Sequence, residues 1–192
     1  METKLKIGVL SLQGAVNEHI TILNKLHCQA LMVKNNKHLK DIDGLIIPGG
    51  ESTTIGKLMR EREMIKTIKA RVKAGMGIFG TCAGLVLMAK NVVDNIQPLL
   101  SLMDIKVKRN AFGSQIFSFE TDLNIPEISS NSFKAVFIRA PVILNSGDNV
   151  ETLAAYKDQK VLARQNKILV SSFHPELTDD LRLHMYFLKL LK

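Results

Sequence analysis

The feature that most constrains this 192-residue chain is the run Gly80-Thr81-Cys82-Ala83-Gly84, between the apolar stretches Met76–Phe79 and Leu85–Ala89. The G-x-C-x-G pattern between a buried strand and a helix is the thiol form of a nucleophile elbow. Its glycines permit a tight turn that a Cβ would obstruct. The turn brings the sulfur near the first free N–H groups of the helix, which favour a thiolate. A lone cysteine is usually a core residue, but the glycines and the flanking elements favour a nucleophile here.

The first half of the chain alternates apolar runs with segments of helical spacing, which predicts a parallel sheet with helices on both faces. The predicted strands are Leu5–Leu10, Gln29–Val33, Leu45–Ile47 and Met76–Phe79. The predicted helices are Ala15–Leu26, one or two helices over Thr54–Ala74, and Ala83–Ala89 after the elbow.

The second half is richer in short strand candidates, some of which should form antiparallel hairpins. These candidates are Ile105–Val107, Gln115–Glu120, Lys134–Ile138, Glu151–Tyr156, Lys160–Ala163 and Ile168–Ser172, with a turn at Lys157-Asp158-Gln159. A last helix is predicted over Asp179–Lys192, with Thr178 as N-cap and with Leu181, His184, Met185, Leu188 and Leu191 facing the core. Residues 1–192 therefore read as one three-layer α/β domain, with a mostly parallel sheet and an antiparallel extension.

Composition excludes several classes of protein. The net charge of +8 is scattered over helical segments, without a basic block interleaved with aromatic residues, so nucleic-acid binding is not supported. No apolar run is long enough for a membrane span, and the N-terminus does not read as a signal peptide. Two cysteines, Cys28 and Cys82, form no disulfide framework, and a reducing cytoplasm is expected. Neither a metal nor a cofactor is expected, because the chain lacks a Cys/His cluster and a P-loop.

A thiolate that attacks a carbonyl needs a base nearby. His174 follows the strand candidate at 168–172 in the sequence Ser172-Phe173-His174-Pro175-Glu176. On an extended backbone His174 and Glu176 share one face, where the carboxylate can orient the imidazole. Of the other histidines, His27 and His38 should be exposed, His184 should lie in the core, and His19, beside Glu18, should lie at a surface or interface.

The run Pro48-Gly49-Gly50-Glu51-Ser52 also follows a predicted strand. Adjacent glycines allow backbone N–H groups to approach a ligand, as an oxyanion hole requires. The same run can serve as a strand-to-helix turn in which Ser52 or Thr53 caps the next helix. Both interpretations are compatible with the sequence.

These three motifs resemble those of the class I, triad-type glutamine amidotransferases, which have a flavodoxin-like α/β fold. Four further runs resemble, more narrowly, the glutaminase subunits of pyridoxal phosphate synthases, and the similarity extends over nearly the whole chain. These runs are Gly8 to Gly14, Arg109-Asn110-Ala111-Phe112-Gly113, Phe137-Ile138-Arg139-Ala140-Pro141 and Ser172 to Asp180.

The resemblance implies a role for each matching residue. Cys82 would attack the side-chain amide of L-glutamine, His174 would act as base and then acid, and Glu176 would orient His174. The oxyanion would be held by the backbone N–H groups of Gly50 and Ala83. The glutamine pocket would be lined by Gly50, Glu51, Ser52, Arg109, Ile138 and Arg139. By spacing alone, Arg109 could instead be a solvated member of its basic run.

The resemblance also implies a partner, the synthase subunit, which receives ammonia and makes pyridoxal 5′-phosphate within a hetero-oligomer, expected to be a large ring. The docking surface for this partner is expected around the loop and first helix, Gln13 to His19. Two alternatives stay open: the glutaminase of another amidotransferase, such as imidazole glycerol phosphate synthase, and a non-catalytic or redox-sensing thiol module on the same fold. Ser114 and Phe117 depart from the residues common in relatives and could alter a pocket edge or a partner contact.

Overall fold

The computed structural model describes residues 4–93, 96–111 and 118–192. The first half contains β1 (Lys6–Leu10), α1 (Val16–Lys25), β2 (Gln29–Val33), β3 (Gly44–Ile47), α2 (Ser52–Glu61), α3 (Met64–Lys73), β4 (Gly77–Thr81), α4 (Ala83–Met88) and β5 (Ala89–Val92). The second half contains β6 (Met103–Lys108), β7 (Ser118–Ile125), β8 (Ser129–Ile138), β9 (Val142–Ser146), β10 (Glu151–Tyr156), β11 (Gln159–Gln165), β12 (Ile168–Ser171) and α5 (Arg182–Leu191). Short 3₁₀ helices cover Asn36–Leu39 and Pro175–Leu177. Within these ranges, none of the helices combines the length and apolar character needed to cross a membrane.

The sheet has the strand order β2-β1-β3-β4-β12-β11-β9-β6-β5, and β10 pairs with β11. The strands from β2 to β12 run parallel to their neighbours. From β12 to β6 each pairing is antiparallel, and β5 pairs with β6 in parallel. The strands β7 and β8 form a separate antiparallel hairpin. The predicted α/β class with an antiparallel extension is therefore confirmed.

Both faces of the parallel strands are apolar because each face is covered. Leu45 and Ile47 of β3 belong to the hydrophobic cluster that includes residues of α2, α3 and α4. Ile46, between them, belongs to the opposite cluster, which includes residues of α1, α5 and the β7–β8 hairpin. Alternate side chains of a strand point to opposite faces. The continuous apolar runs seen in the sequence therefore fill two core layers.

The elbow has the predicted strand–turn–helix form. Cys82 lies between β4 and α4 with φ 47° and ψ −97°, a conformation that is costly for a residue with a Cβ. Its backbone N–H donates to the carbonyl oxygen of Ser171, 2.8 Å away on β12. A Cβ on Gly84 would lie 2.3 Å from the carbonyl oxygen of Ile47. The glycine therefore allows α4 to pack directly on the backbone of β3.

Other predicted elements differ in extent. The segment Thr54–Ala74 forms two helices, which are separated at Arg62 and Glu63, where Glu63 has φ 55°. The strands β5 and β9 were not predicted. The predicted strand Gln115–Glu120 lies partly outside the described residues, and its described end belongs to β7. Lys157 and Asp158, with φ 46° and 62°, form the predicted turn between β10 and β11.

The prediction for the start of the last helix is wrong. The helix α5 begins at Arg182, and its N-cap position is Leu181 instead of Thr178. The Thr178 hydroxyl accepts a hydrogen bond from Asp180 N, and the Asp180 carboxylate accepts one from Arg182 N. These short polar side chains bind the local backbone and favour turns over helix in this stretch.

The prediction for the buried face of α5 is only partly correct. His184 is buried as predicted, together with Leu183 and Phe187. Met185 is 44% exposed, contrary to the prediction. Phe187 is 0% exposed and its ring lies 5.6 Å from that of Phe79 on β4. Phe187 therefore joins α5 to the centre of the sheet.

Phe187→Ala should lower the free energy of unfolding by about 3–5 kcal/mol, because it leaves a cavity in a closed core. Met185→Ala, two residues earlier in the same helix, is the matched control and should change it by less than about 0.5 kcal/mol. Urea unfolding followed by circular dichroism measures both values. An equal or larger loss for Met185→Ala would contradict this orientation of α5.

Candidate active site

A cavity of about 370 Å³ opens where the segments after β3, β4 and β12 meet. It is lined by nine residues singled out from the sequence, namely Gly50, Glu51, Ser52, Cys82, Ala83, Arg109, Ile138, Arg139 and His174. Glu176, the tenth, lies behind His174 with its side chain 0% exposed. Val86, Asn110 and Pro141 complete the lining. In an open α/β sheet, sites form at the carboxyl ends of strands, and this cavity has that position.

The groups expected to form a triad are in contact. His174 Nδ1 lies 2.7 Å from Glu176 Oε1, and the Cys82 side chain lies close enough to the His174 ring to affect its pKa. Cys82 Sγ itself lies 3.8 Å from the carbonyl oxygen of Ile138. Burial lowers the pKa of His174, but the contacts with Cys82 and Glu176 outweigh it and raise this pKa from 6.5 to about 10. Both side chains therefore favour the protonated form of His174.

The position of His174 is fixed from two sides. Its backbone N–H donates to the carbonyl oxygen of Val136 on β8, 2.8 Å away. Its ring packs on Gly49, where a Cβ would lie 2.3 Å from His174 Cε1. Gly49 thus leaves space for the imidazole ring. The sequence predicted a role for this glycine in the oxyanion hole but did not reveal its contact with His174.

The predicted extended path from His174 to Glu176 is wrong. Pro175, Glu176 and Leu177 form a 3₁₀ helix, and His174 precedes it with φ −104° and ψ 86°. Proline is favoured at the start of a helical turn, since its φ is already fixed near the helical value. The turn carries the Glu176 carboxylate back onto the imidazole, so the contact expected from the sequence forms by a different backbone route.

One wall of the cavity is a network around Glu51. The N-cap of α2 is Glu51, and not Ser52 or Thr53 as expected. Its carboxylate accepts hydrogen bonds from Thr53 N and Thr54 N, at 3.1 and 2.6 Å. Burial raises the pKa of Glu51, but these hydrogen bonds outweigh it and lower this pKa from 4.5 to about 2. Arg109 Nη2 lies 3.0 Å from Glu51 Oε1. Arg109 is therefore held at the cavity wall by an ion pair. It is not simply a solvated residue of its basic run, the alternative that spacing alone had allowed.

Two glutamine side chains join this network. Gln97 was not singled out from the sequence, and Gln13 was named only as the start of the expected docking segment. The Gln97 amide oxygen accepts hydrogen bonds from Ser52 Oγ, Thr53 Oγ1 and Arg109 Nη1, at 3.1, 3.2 and 3.4 Å. The Gln13 amide oxygen accepts one from Glu51 N at 2.8 Å. Gln13 falls in a run quoted for the family resemblance, whereas the residues around Gln97 carry no motif.

The other histidines are placed as predicted, with one exception. His27 and His38 are exposed, and His184 is buried. His19, expected at a surface or interface, is 0% exposed. It projects from α1 toward β4, where its Nε2 lies 3.3 Å from Thr81 Oγ1. The expectation for His19 is therefore wrong, because α1 presents this side chain to the sheet.

Some predictions fall on residues that the structure does not describe. Phe112 and Gly113 of the Arg109–Gly113 run, with Ser114 and Phe117, lie outside the described residues. Within the described part of the chain, His, Cys, Asp and Glu side chains form no group of three or more suited to hold a metal ion.

An α/β sheet that brings a cysteine, a histidine and a glutamate together at one edge has the arrangement of the triad-type glutamine amidotransferase class. A model of the SNO glutamine amidotransferase family matches residues 9–192 of this chain. The chain belongs to that family.

Similar proteins agree with this assignment. The chain is 51% identical over 185 residues to the pyridoxal 5′-phosphate synthase subunit PdxT of Carboxydothermus hydrogenoformans, covering 96% of this chain and 97% of that protein. It is 48% identical to the protein of the same name from Thermotoga neapolitana, covering 98% and 100%.

Solved structures show the same relationship. A crystal structure of a glutamine amidotransferase superposes with a TM-score of 0.92 at 50% identity, covering 96% of this chain and 98% of that one. PurLQS from Thermotoga maritima has a TM-score of 0.69 at 15% identity, covering 99% and 100%. The second likeness is one of fold alone.

Glu176→Gln should lower the pKa of His174, since it removes the carboxylate that stabilises the imidazolium. NMR titration of ¹⁵N-labelled histidine measures this shift. Glu61→Gln, the same substitution at an exposed position, should leave the His174 titration unchanged.

The same substitution should change the pH dependence of stability. The pKa of His174 is raised in the folded protein, so its contribution to stability is complete below 6.5 and is lost as the pH rises through about 10. The stability advantage of the parent over Glu176→Gln should therefore decrease across this range. An advantage that grew with pH in urea unfolding would contradict the ion pair.

Proposed function

We propose that this chain is the glutaminase subunit of a pyridoxal 5′-phosphate synthase. It hydrolyses the side-chain amide of L-glutamine to glutamate and ammonia, and a synthase subunit uses the ammonia to make pyridoxal 5′-phosphate, which is vitamin B6 biosynthesis. The observation that carries this proposal is the meeting of Cys82, His174 and Glu176 at one cavity, in a chain about half identical to proteins named as PdxT subunits.

In the first half of the reaction, the Cys82 thiolate attacks the carbonyl carbon of the glutamine side chain and forms a C–S bond. The N–H groups of Gly50 and Ala83 hold the resulting oxyanion. Ala83 is the first residue of α4, and the N–H groups of a first helical turn have no acceptor within the helix. The C–N bond then breaks as His174 donates its proton to the nitrogen, and ammonia leaves.

In the second half, water hydrolyses the thioester. Neutral His174 takes a proton from the water, and the hydroxide attacks the carbonyl carbon. The C–S bond breaks, which releases glutamate and restores the Cys82 thiolate beside a protonated His174. Glu176 keeps the imidazole in position and stabilises its charged form in both halves.

The α-amino and α-carboxylate groups of L-glutamine require two opposite charges in the pocket. The Arg109 guanidinium suits the carboxylate. The low pKa of Glu51 keeps that carboxylate ionised for the ammonium group. Ser52, Ile138 and Arg139 line the rest of the pocket. The ion pair between Glu51 and Arg109 would hold these two side chains in place before the substrate binds.

We extend the proposal to the assembly. Residues 1–192 would act as a single glutaminase domain, docked on the synthase subunit in a large cytoplasmic ring. Within the expected docking segment, Gln13 to His19, the His19 side chain is buried. The loop at Gln13 and Gly14 is the candidate docking surface because it lies against Gly50 at the cavity edge. The relatives named as PdxT favour this reading over the glutaminase of imidazole glycerol phosphate synthase. The intact set of Cys82, His174 and Glu176 favours it over a non-catalytic or redox module.

Cys82→Ala should abolish ammonia release from glutamine, by about a thousandfold or more, because the nucleophile is lost. The thermal unfolding curve should stay that of a folded protein. Cys28→Ala, at the other free cysteine, is the matched control and should retain activity. Ammonia release by Cys82→Ala at a rate comparable to the parent would show that the nucleophile is elsewhere.

The isolated chain should be a weak glutaminase that its partner activates by about fivefold or more, a common size for coupling between sites. The test is co-purification with a synthase subunit, followed by assay of ammonia and pyridoxal 5′-phosphate with and without that partner. A chain that is fully active alone and indifferent to the synthase subunit would contradict this part of the proposal.

A further inference from the structure

We propose that His19 is a positioning residue: its Nε2–H holds the second oxygen of the Glu176 carboxylate, and His184 fixes the tautomer that this requires. This inference rests on the proposed glutaminase function of the triad. It assigns a task to two histidines that the mechanism above does not use.

The two oxygens of Glu176 have different surroundings. Oε1 lies 2.7 Å from His174 Nδ1, whereas Oε2 is buried and has no hydrogen-bond partner among the described residues. The nearby nitrogen is His19 Nε2, at 3.5 Å from Oε2. A buried carboxylate oxygen without a donor is costly. The distance is long for a hydrogen bond, and catalytic contacts of this length can shorten when substrate binds.

The tautomers follow from the contacts of the two rings. His19 Nδ1 lies 2.9 Å from His184 Nε2, so one nitrogen carries a hydrogen and the other accepts it. His184 Nδ1 is buried without a partner among the described residues. If His19 Nδ1 were the donor, neutral His184 would bury an unsatisfied N–H at that position. The opposite assignment leaves only an unsatisfied acceptor there, which costs less.

His184 Nε2–H therefore donates to His19 Nδ1, and the hydrogen of neutral His19 is on Nε2. That nitrogen makes a hydrogen bond to Thr81 Oγ1 at 3.3 Å and lies 3.5 Å from Glu176 Oε2. The Thr81 hydroxyl can donate as well as accept, so Nε2–H can turn to the carboxylate when that contact shortens. The other tautomer would direct a lone pair at the carboxylate. The His184–His19 pair thus presents a donor to the acidic member of the triad.

The donor is a neutral group. Burial, followed by the charges of His184 and His174, holds the pKa of His19 well below its usual range. Burial lowers the pKa of His184 to about 3. A cationic His19 would compete with His174 for the charge of Glu176. A neutral N–H binds Oε2 and leaves that charge to stabilise the imidazolium.

The other charged groups around this site are turned outward. A surface groove beside Glu176 is lined by Glu18, Lys25, Glu120, Lys134 and Asp179. Two ion pairs form there, Lys25–Asp179 at 3.1 Å and Lys134–Glu120 at 2.6 Å. The side chains of Glu176 and His19 are both 0% exposed. On the inner side, the titratable groups are His174, Cys82 and His184. His19 Nε2, 3.5 Å from Oε2, is the side-chain nitrogen placed to serve as its donor.

The test compares His19→Leu, which removes the donor, with His19→Gln, whose amide can supply one. Both are assayed as complexes with the synthase subunit. His19→Leu should lower kcat about tenfold, the size expected for a hydrogen bond to a charged group, with KM changed less than about twofold. The acid limb of the kcat–pH profile should shift from that of the parent, because the contact between Glu176 and His174 loses the group that positions it.

His19→Gln should recover most of kcat and return the acid limb toward that of the parent. Leu23→Ala, one turn further along α1 and fully buried, is the control for lost packing. It should lower the free energy of unfolding without shifting the acid limb of the kcat–pH profile. A His19→Leu variant with the parent's kcat and pH profile, or a glutamine variant no better than leucine, would overturn the inference.

A spectroscopic test does not depend on the variants or on turnover. The ¹⁵N chemical shifts of the parent should show His19 and His184 as neutral Nε2–H tautomers. An Nδ1–H tautomer at His19 would overturn the assignment even if the parent released ammonia normally. A parent that released no ammonia in its complex, with the Nε2–H tautomers present, would count against the glutaminase proposal instead.

Discussion

The imidazole of His174 is held between a glycine and a buried carboxylate, and the rest of the site depends on this contact. Its ring lies where a Cβ of residue 49 would be, and its Nδ1 lies 2.7 Å from Glu176 Oε1. A positive charge on a buried imidazole is costly unless it is paired and hydrogen-bonded. Burial lowers the pKa of His174, but the contacts with Cys82 and Glu176 together outweigh it and raise this pKa to about 10. The protein therefore keeps a proton on His174, next to the sulfur.

The sheet brings these groups together because parallel strands end at one edge. The chain crosses that edge after β3, β4 and β12, and at each crossing the sequence supplies a different part: glycines and an acid, a cysteine, and a histidine with its carboxylate. The antiparallel strands extend the sheet on one side. The β8 strand, from the separate hairpin, completes the cavity through Ile138 and binds the backbone of His174 through Val136.

Much of this arrangement could be predicted from the sequence because it depends on local patterns. The apolar runs of β1 to β4 and the glycines of the elbow specify their own conformations. The strand β5 was missed because Ala89-Lys90-Asn91-Val92 has little apolar character. The start of α5 was misplaced because Thr178 and Asp180 can either cap a helix or close a turn.

The misassignment of His19 has a different cause. Its neighbour Glu18 suggested a surface, yet His19 follows Val16 by three residues and precedes Leu23 by four, which is the spacing of one buried helical face. That spacing was present in the sequence. The role of Gln97 could not be found in this way, since its three partners come from two distant segments of the chain.

One hydrogen bond between adjacent strands links the two reacting groups. The N–H of Cys82 donates to the carbonyl oxygen of Ser171, three residues before His174. The unusual backbone at the nucleophile is thus anchored to the strand that delivers the base. The spacing of β4 and β12 within the sheet is thus one of the constraints that set the separation of sulfur and imidazole.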